Sequence, residues 1–259
     1  MRRRVLALAL ALAAAPAARA QTVEDHIHLG VQAVDQRDLR SARQHFEAAL
    51  ALDSLSYEAL WRLSDCLVDI GKETPDSVRS PARDSLYHRA EELARRATTV
   101  DPQGADGWFT LGQAVGRASL TMGKRDRVRR AKEIRDAALK AIELDPQHDG
   151  AYHVLGRWNA EIMRLSGVQR FFAKSFLGGA VFNQASWDNA IQYMERAVSL
   201  RPDYIYHHLD LAEIYIDRER WDDARTQLQY IGTLPVSDAA DPTYKADAER
   251  LLASIRDKH

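Results

Sequence analysis

Nine histidines, one cysteine and 37 acidic residues are the side chains here that could bind a metal or move protons, and their spacing decides whether they do. Neighbouring residues on a helix point about 100° apart, so His207 and His208 cannot share an ion, and His26 and His28 are no better placed. Cys66 has no second cysteine to pair with, which excludes an intramolecular disulfide and a paired-cysteine redox or zinc site. A phosphate-binding glycine loop, an H-E-x-x-H helix and a G-x-S-x-G elbow are all absent from the sequence. The residues imply a non-enzyme, with no catalytic centre, metal site or cofactor. What they offer is recognition. Trp61, Phe109, His153, Arg157 and Tyr206 combine aromatic faces with a guanidinium and an imidazole, and Phe171 and Phe172 add two further rings. Aromatic rings supply large contact area at small entropic cost, and an arginine can fix an anionic group by charge-assisted hydrogen bonds.

Helical hairpins must place these side chains. Trp108 to Val115 reads W-F-T-L-G-Q-A-V, the opening octet of a tetratricopeptide unit. Its central pair returns as Leu29-Gly30, Leu63-Ser64, Leu155-Gly156 and Leu211-Ala212, which sets unit starts at Val23, Tyr57, Ala105, Asp149 and Ile205. The first spacing is 34 residues, the tetratricopeptide period; the next three, 48, 44 and 56, carry insertions. Small residues mark each second helix, among them Ala42 and Ala49, Ala90 and Ala97, Ala138 and Ala141, and Ala190 and Ala197, and they allow close helix approach. Pro102, Pro146 and Pro202 stop these helices, having no N–H to continue the ladder. No segment alternates as a strand would. The fold predicted is all-α: a tetratricopeptide-like right-handed superhelix of about five helical hairpins, with Thr243 to Arg256 as a C-terminal capping helix. Its concave face would carry Trp61, Asp65, Phe109, Gln113, His153, Arg157, Tyr206 and Glu213.

Residues 1–20 read as a cleavable signal peptide. Arg2, Arg3 and Arg4 precede the apolar run Val5 to Ala15, and Ala18-Arg19-Ala20 supplies a small-x-small cleavage site. The apolar run is well short of the roughly 20 residues a membrane span needs. The expectation is therefore an exported, periplasmic or otherwise extracytoplasmic protein, with one repeat domain over residues 21–259 and no stable transmembrane span after cleavage. Removing the leader takes away four arginines and no acids, moving the formal charge from −1 to −5, which argues against nucleic-acid binding. Two insertions stand out. Lys124 to Arg130 is basic, and reads as an exposed face or, alternatively, a contact for anionic headgroups. Residues 165–186 hold Phe171, Phe172, Phe176 and Phe182, each worth roughly 1.5–3 kcal/mol if buried. That segment must pack on the array, line a cavity or meet a partner.

Three stretches carry a more specific likeness: A-K-E-I-R-D-A-A-L-K-A-I-E-L-D-P from Ala131, A-Y-H-V-L-G-R-W from Ala151, and R-L-S-G…R-F-F-A…F-L-G-G from Arg164 to Gly179. In these the chain resembles the tetratricopeptide-like domain of the regulator of microtubule dynamics family. The resemblance implies a non-catalytic adaptor, in a family linked to organelle membranes, phospholipid handling and microtubules. An export signal and an arginine-biased composition suit a bacterial envelope protein, so the microtubule role is not expected to transfer. Two functions remain from this reading: binding of a protein or peptide partner on the concave face, or binding and transfer of a phospholipid or other amphiphile in a groove closed by the aromatic insertion. Oligomeric state is left open.

Overall fold

The computed structural model describes residues 21–75, 78–167 and 179–259, and these form eleven α-helices and one short 3-10 helix. The helices pair as α1 (Val23–Asp35) with α2 (Leu39–Leu52), α3 (Tyr57–Lys72) with α4 (Pro81–Val100), and α5 (Ala105–Ser119) with α6 (Lys124–Leu144). Two further pairs follow: α7 (Asp149–Arg164) with α8 (Trp187–Leu200), and α9 (Ile205–Asp217) with α10 (Trp221–Thr233). The last helix is α11 (Asp241–Ser254), and the 3-10 helix Gly179–Gln184 precedes α8. All five first helices begin at the residues predicted from the repeat spacing, and the described residues contain no strand. The array is a right-handed tetratricopeptide-like superhelix.

Local sequence sets the boundaries. Thr22 and Asp25 form a reciprocal capping box at α1, each side chain taking the other's backbone N–H. Ser56, Ser80 and Ser186 cap α3, α4 and α8, and Pro81 occupies the first turn of α4, where its missing N–H costs nothing. The basic run makes the first turns of α6, and Arg130 reaches α4 to donate to Glu91 at 2.9 Å. A repeated device ties each unit to the turn before it. Trp108 Nε1 donates to the Pro102 carbonyl at 2.9 Å, Tyr152 Oη to that of Pro146 at 3.3 Å, and His208 Nε2 lies 2.9 Å from that of Pro202. All three stand at the fourth position of their units.

Hairpins close because the eighth position of each unit is small. A Cβ on Gly30 would fall 2.4 Å from the Phe46 ring, so only glycine lets α1 and α2 meet around that side chain. Ser64 departs from the pattern and uses its hydroxyl, donating to the Ala90 carbonyl at 2.8 Å inside the second hairpin. Two separate cores result. One runs through α1 to α6 around Phe46, Leu60, Leu67, Tyr87 and Leu93. The other spans α7 to α11 around Met194, Leu211, Ile214 and Ile231. A small apolar cluster of Trp158, Ile162 and Phe182, packed on Ala131 and Ile134, lies where they join. Cys66 is buried, its thiol near the Leu39 carbonyl at 3.3 Å, and burial pushes its pKa up.

The C-terminal helix does more than cover the end of the stack. The segment before it turns back across the superhelix: Arg37 Nη1 donates to the Val236 carbonyl at 2.9 Å, and Ala239 packs on the first core. Asp241, fully buried, receives the backbone N–H groups of Ser237 and Asp238 at 2.8 and 2.7 Å and fixes this turn. Tyr244 then stacks on Tyr206 with ring centroids 4.6 Å apart.

Candidate functional site

First helices line the inner face of the superhelix. Between α5 and α7 that face opens into a cavity of about 460 Å³. Its wall is apolar, built from Ala131 and Ile134 of α6, Trp158 and Ile162 of α7, and Phe109 of α5. Glycines at 112 and 116 keep the α5 side of the wall thin. The facing side is polar and carries Lys72, Arg117, Arg157, Tyr204 and Tyr206. A volume in the low hundreds of Å³ with a few convergent polar groups is the usual form of a ligand pocket. A wider, open depression of about 760 Å³ lies over α4, α5 and α6, but the charges on its walls are already paired, such as Arg95 with Glu133 at 2.6 Å.

The polar side is one connected network. Arg157 Nη1 donates to the Tyr206 hydroxyl at 2.7 Å and to Asp210 Oδ2 at 3.0 Å, and Arg117 Nη2 donates to the same hydroxyl at 3.2 Å. His153 Nε2 stands 2.9 Å from Asp210 Oδ2, and its Nδ1 is 2.8 Å from Nδ1 of His207. His207 Nε2 in turn lies 2.8 Å from Asp149 Oδ2. Burial opposes the charge on Asp210, but Arg157 and His153 outweigh it and hold the carboxyl well below the usual range. The same carboxylate holds the Arg157 guanidinium firmly protonated. Burial raises Glu213 to about 7, helped by the nearby charge of Asp210. Lys72 is paired with Asp69 at 2.7 Å and lies 5.7 Å from the Tyr206 ring, so α3 reaches the site from the opposite side.

Five of the residues predicted from sequence meet here: Phe109, Gln113, His153, Arg157 and Tyr206 all line the cavity. His153 and Tyr206 are more deeply set than a groove surface would have them, 7% and 9% exposed. Trp61 is not brought to the cavity; it packs on the first core, with the Arg62 guanidinium 4.3 Å over its ring. Phe171 and Phe172 lie outside the described residues. Of the same insertion, Phe182 is buried against Trp158 and Ile162.

Sequence spacing excludes a shared ion on His207 and His208, and the structure gives each imidazole a partner of its own. His153, His207 and His208 are buried and bonded, and His207 is the partner that the spacing to His208 concealed. Asp210, Lys72 and Tyr244 were missed too. A signal for Asp210 exists: α9 reads I-Y-H-H-L-D-L-A-E-I-Y-I-D, and a helix buried on nearly every side that still carries Asp and two His requires partners for them. Among the described residues no group of three or more His, Cys, Asp or Glu side chains could hold a metal ion. No described helix is long and apolar enough to cross a membrane.

Comparison with known proteins fits this architecture. The family profile described as Regulator of microtubule dynamics protein 1-3 matches residues 26–256. The chain belongs to that family. It is 25% identical over 210 residues to regulator of microtubule dynamics protein 1 of Bos taurus, covering 80% of this chain and 64% of that protein. The Caenorhabditis elegans protein of the same name is 26% identical over 200 residues, covering 76% of this chain and 85% of its own. This family member therefore spans just under two thirds of the length of the bovine relative. Among solved structures, a thermophilic TPR protein of Thermus thermophilus is similar with a TM-score of 0.64 at 18% identity, covering 90% of this chain and all of that one. PilW, a type IV pilus biogenesis factor, superposes with a TM-score of 0.55 at 17% identity, covering 90% and 87%. These likenesses show the fold alone.

Proposed function

We propose that this protein is a non-catalytic adaptor of the bacterial cell envelope that binds a protein or peptide partner in the inner cavity between α5 and α7. The observation that supports the reading is the character of that cavity: an apolar wall facing Lys72, Arg117, Arg157 and Tyr206 across a space of about 460 Å³. Such a surface suits a peptide that inserts one or two apolar side chains and presents an acidic or carboxamide group to Arg157. The envelope location rests on the leader of residues 1–20, whose removal would place the repeat domain outside the cytoplasm.

A second reading is an amphiphile whose apolar part lies along Ile134, Trp158 and Ile162. The apolar side chains of that wall favour it, and the charged residues that also line the cavity favour the peptide. Native mass spectrometry of the purified chain separates the two. The peptide reading expects the bare chain mass, whereas a discrete lipid-sized increment on the folded protein would overturn it in favour of the amphiphile.

A further inference from the structure

After α10 the chain returns to its own first half, and residues 235–244 lie across the superhelix. Three contacts hold them there. Arg37, in the turn between α1 and α2, donates from Nη1 to the Val236 carbonyl at 2.9 Å. Ala239 packs on the first core, and Tyr244 stacks on Tyr206 of α9 with ring centroids 4.6 Å apart. The segment is also bonded to itself. Asp241 accepts the N–H groups of Ser237 and Asp238, and the Asp238 carboxylate accepts that of Ala240 at 2.9 Å, so the turn moves as one preformed piece. Pro235, Val236 and Ser237 remain exposed on its outer side.

Acids crowd the ground where this segment meets α3. Lys72, whose side chain is only 8% exposed, is paired with Asp69 at 2.7 Å. The returning turn brings Asp238 within electrostatic reach of both, and Asp65, one helical turn before Asp69, feels Asp69, Lys72 and Asp238 together. Three carboxylates there share one ammonium. From α5, Gln113 offers Asp65 a neutral amide, and Arg117 is bound to the Tyr206 hydroxyl. Tyr204, just before α9, and Tyr244 of α11 also face Lys72, and burial keeps both phenols protonated. The other charges nearby are engaged elsewhere: Asp241 with the turn's own N–H groups, Lys245 with the Leu234 carbonyl, and Arg40 with Glu73.

We propose that residues 235–244 form a pH-sensitive strap, closed on α3 at acid pH and released as the carboxylates at that contact ionise. Burial, and after it the charge of Asp69, raises Asp65 to about 7 and lifts Asp238 above its ordinary value. With the strap lifted, water and distance return such a group toward its usual value of about 4. A carboxyl raised in the closed form favours closure while it is protonated. That preference is complete below the open-form value and is lost as pH rises through the closed-form value. Lys72 and Tyr206, which the strap touches, also line the inner cavity, so release changes what the polar side of the cavity offers. This consequence rests on reading the cavity as the binding site, whereas the movement of the strap does not.

Double electron–electron resonance on the full chain tests this, with nitroxide labels on Asp35→Cys and Thr243→Cys, both exposed positions, in a Cys66→Ala background. At about pH 5 one narrow distance is expected. Towards about pH 8 a longer population should grow, the ratio of closed to open falling at least about tenfold. A control pair on Asp35→Cys and Leu55→Cys, both in the first half, should not change. Adding Asp65→Asn and Asp238→Asn should keep the strap pair narrow at both pH values. A narrow distance that is the same at both pH values in the parent chain would overturn the proposal. So would opening that survives both asparagine substitutions, or a control pair that widens along with the strap pair. A bound lipid would overturn the peptide reading and leave the strap distances untouched.

Discussion

The two halves of the superhelix are built from the same hairpin but joined differently inside. In α1 to α6 the first helices turn apolar side chains toward their neighbours, and Phe46, Leu60, Leu63 and Tyr87 are essentially inaccessible to solvent. In the second half, α9 is also buried on most of its surface, yet it brings His207, His208 and Asp210 with it. Apolar packing is tolerant of substitution as long as volume is kept. Buried polar groups are not, because each must keep a specific partner or its desolvation goes unrecovered. The cavity lies at the junction of the two, where the apolar wall of α6 and α7 faces the polar network. Recognition is concentrated where the packing changes character.

This difference predicts contrasting responses to mutation. Phe46→Ala removes a ring that fills the space above Gly30 and should cost about 3–5 kcal/mol. Hydrogen exchange should then accelerate in α1 to α4 and leave α8 to α11 protected; uniform acceleration would mean that the two cores act as one. Asp210→Ala should cost a similar amount, about 3–5 kcal/mol, by leaving Arg157 and His153 without their buried carboxylate. Here the exchange should accelerate in α7 and α9, and Asp210→Asn should recover part of the loss by keeping a hydrogen-bond acceptor. An Asp210→Ala chain as stable as the native one would show that the network is dispensable.

Smaller effects sharpen the picture. Trp158 Nε1 donates to the Ala131 carbonyl at 2.7 Å and ties the cavity wall together. Trp158→Phe should cost about 0.5–1.5 kcal/mol, the net worth of one hydrogen bond, because the Ala131 carbonyl keeps its own partner within α6; denaturant unfolding measures it. The smallest effect is a pH dependence that originates on α3. Burial and the charge of Asp69 push Asp65 up to about 7. A carboxyl with a raised folded value stabilises the fold while protonated. Its contribution is complete below the unfolded value near 4 and is lost as pH rises through about 7. Asp65→Asn should therefore flatten the fall in stability between about pH 5 and 7, and an unchanged slope would remove Asp65 from the account.

The repeat was legible because it is written in residues whose size matters locally. Gly30, Gly112 and Gly156 mark close helix contacts, and Pro102, Pro146 and Pro202 mark the turns, so the first residue of every hairpin could be placed. The inner face was only partly legible. Phe109, His153, Arg157 and Tyr206 follow from tetratricopeptide register, but that register assumes an open groove of regular curvature. The turn at Val236 meets Arg37 across 199 residues of sequence, and Tyr244 of α11 stacks on Tyr206 of α9, contacts that no local pattern announces. Trp61 illustrates the consequence: its position in the unit matches that of Phe109 and His153, yet it packs on the first core while they line the cavity.

The central claim is that binding takes place in the cavity between α5 and α7. Site-specific photocrosslinking in living cells tests it most directly, with p-benzoylphenylalanine in place of Leu120, which is exposed and lines the cavity, or of Leu55, which is exposed in the turn between α2 and α3. The account predicts a discrete protein adduct from Leu120, none from Leu55, and loss of the Leu120 adduct in an Arg157→Ala chain that remains folded. An adduct that forms equally from Leu55, or that survives the loss of Arg157 unchanged, would contradict it.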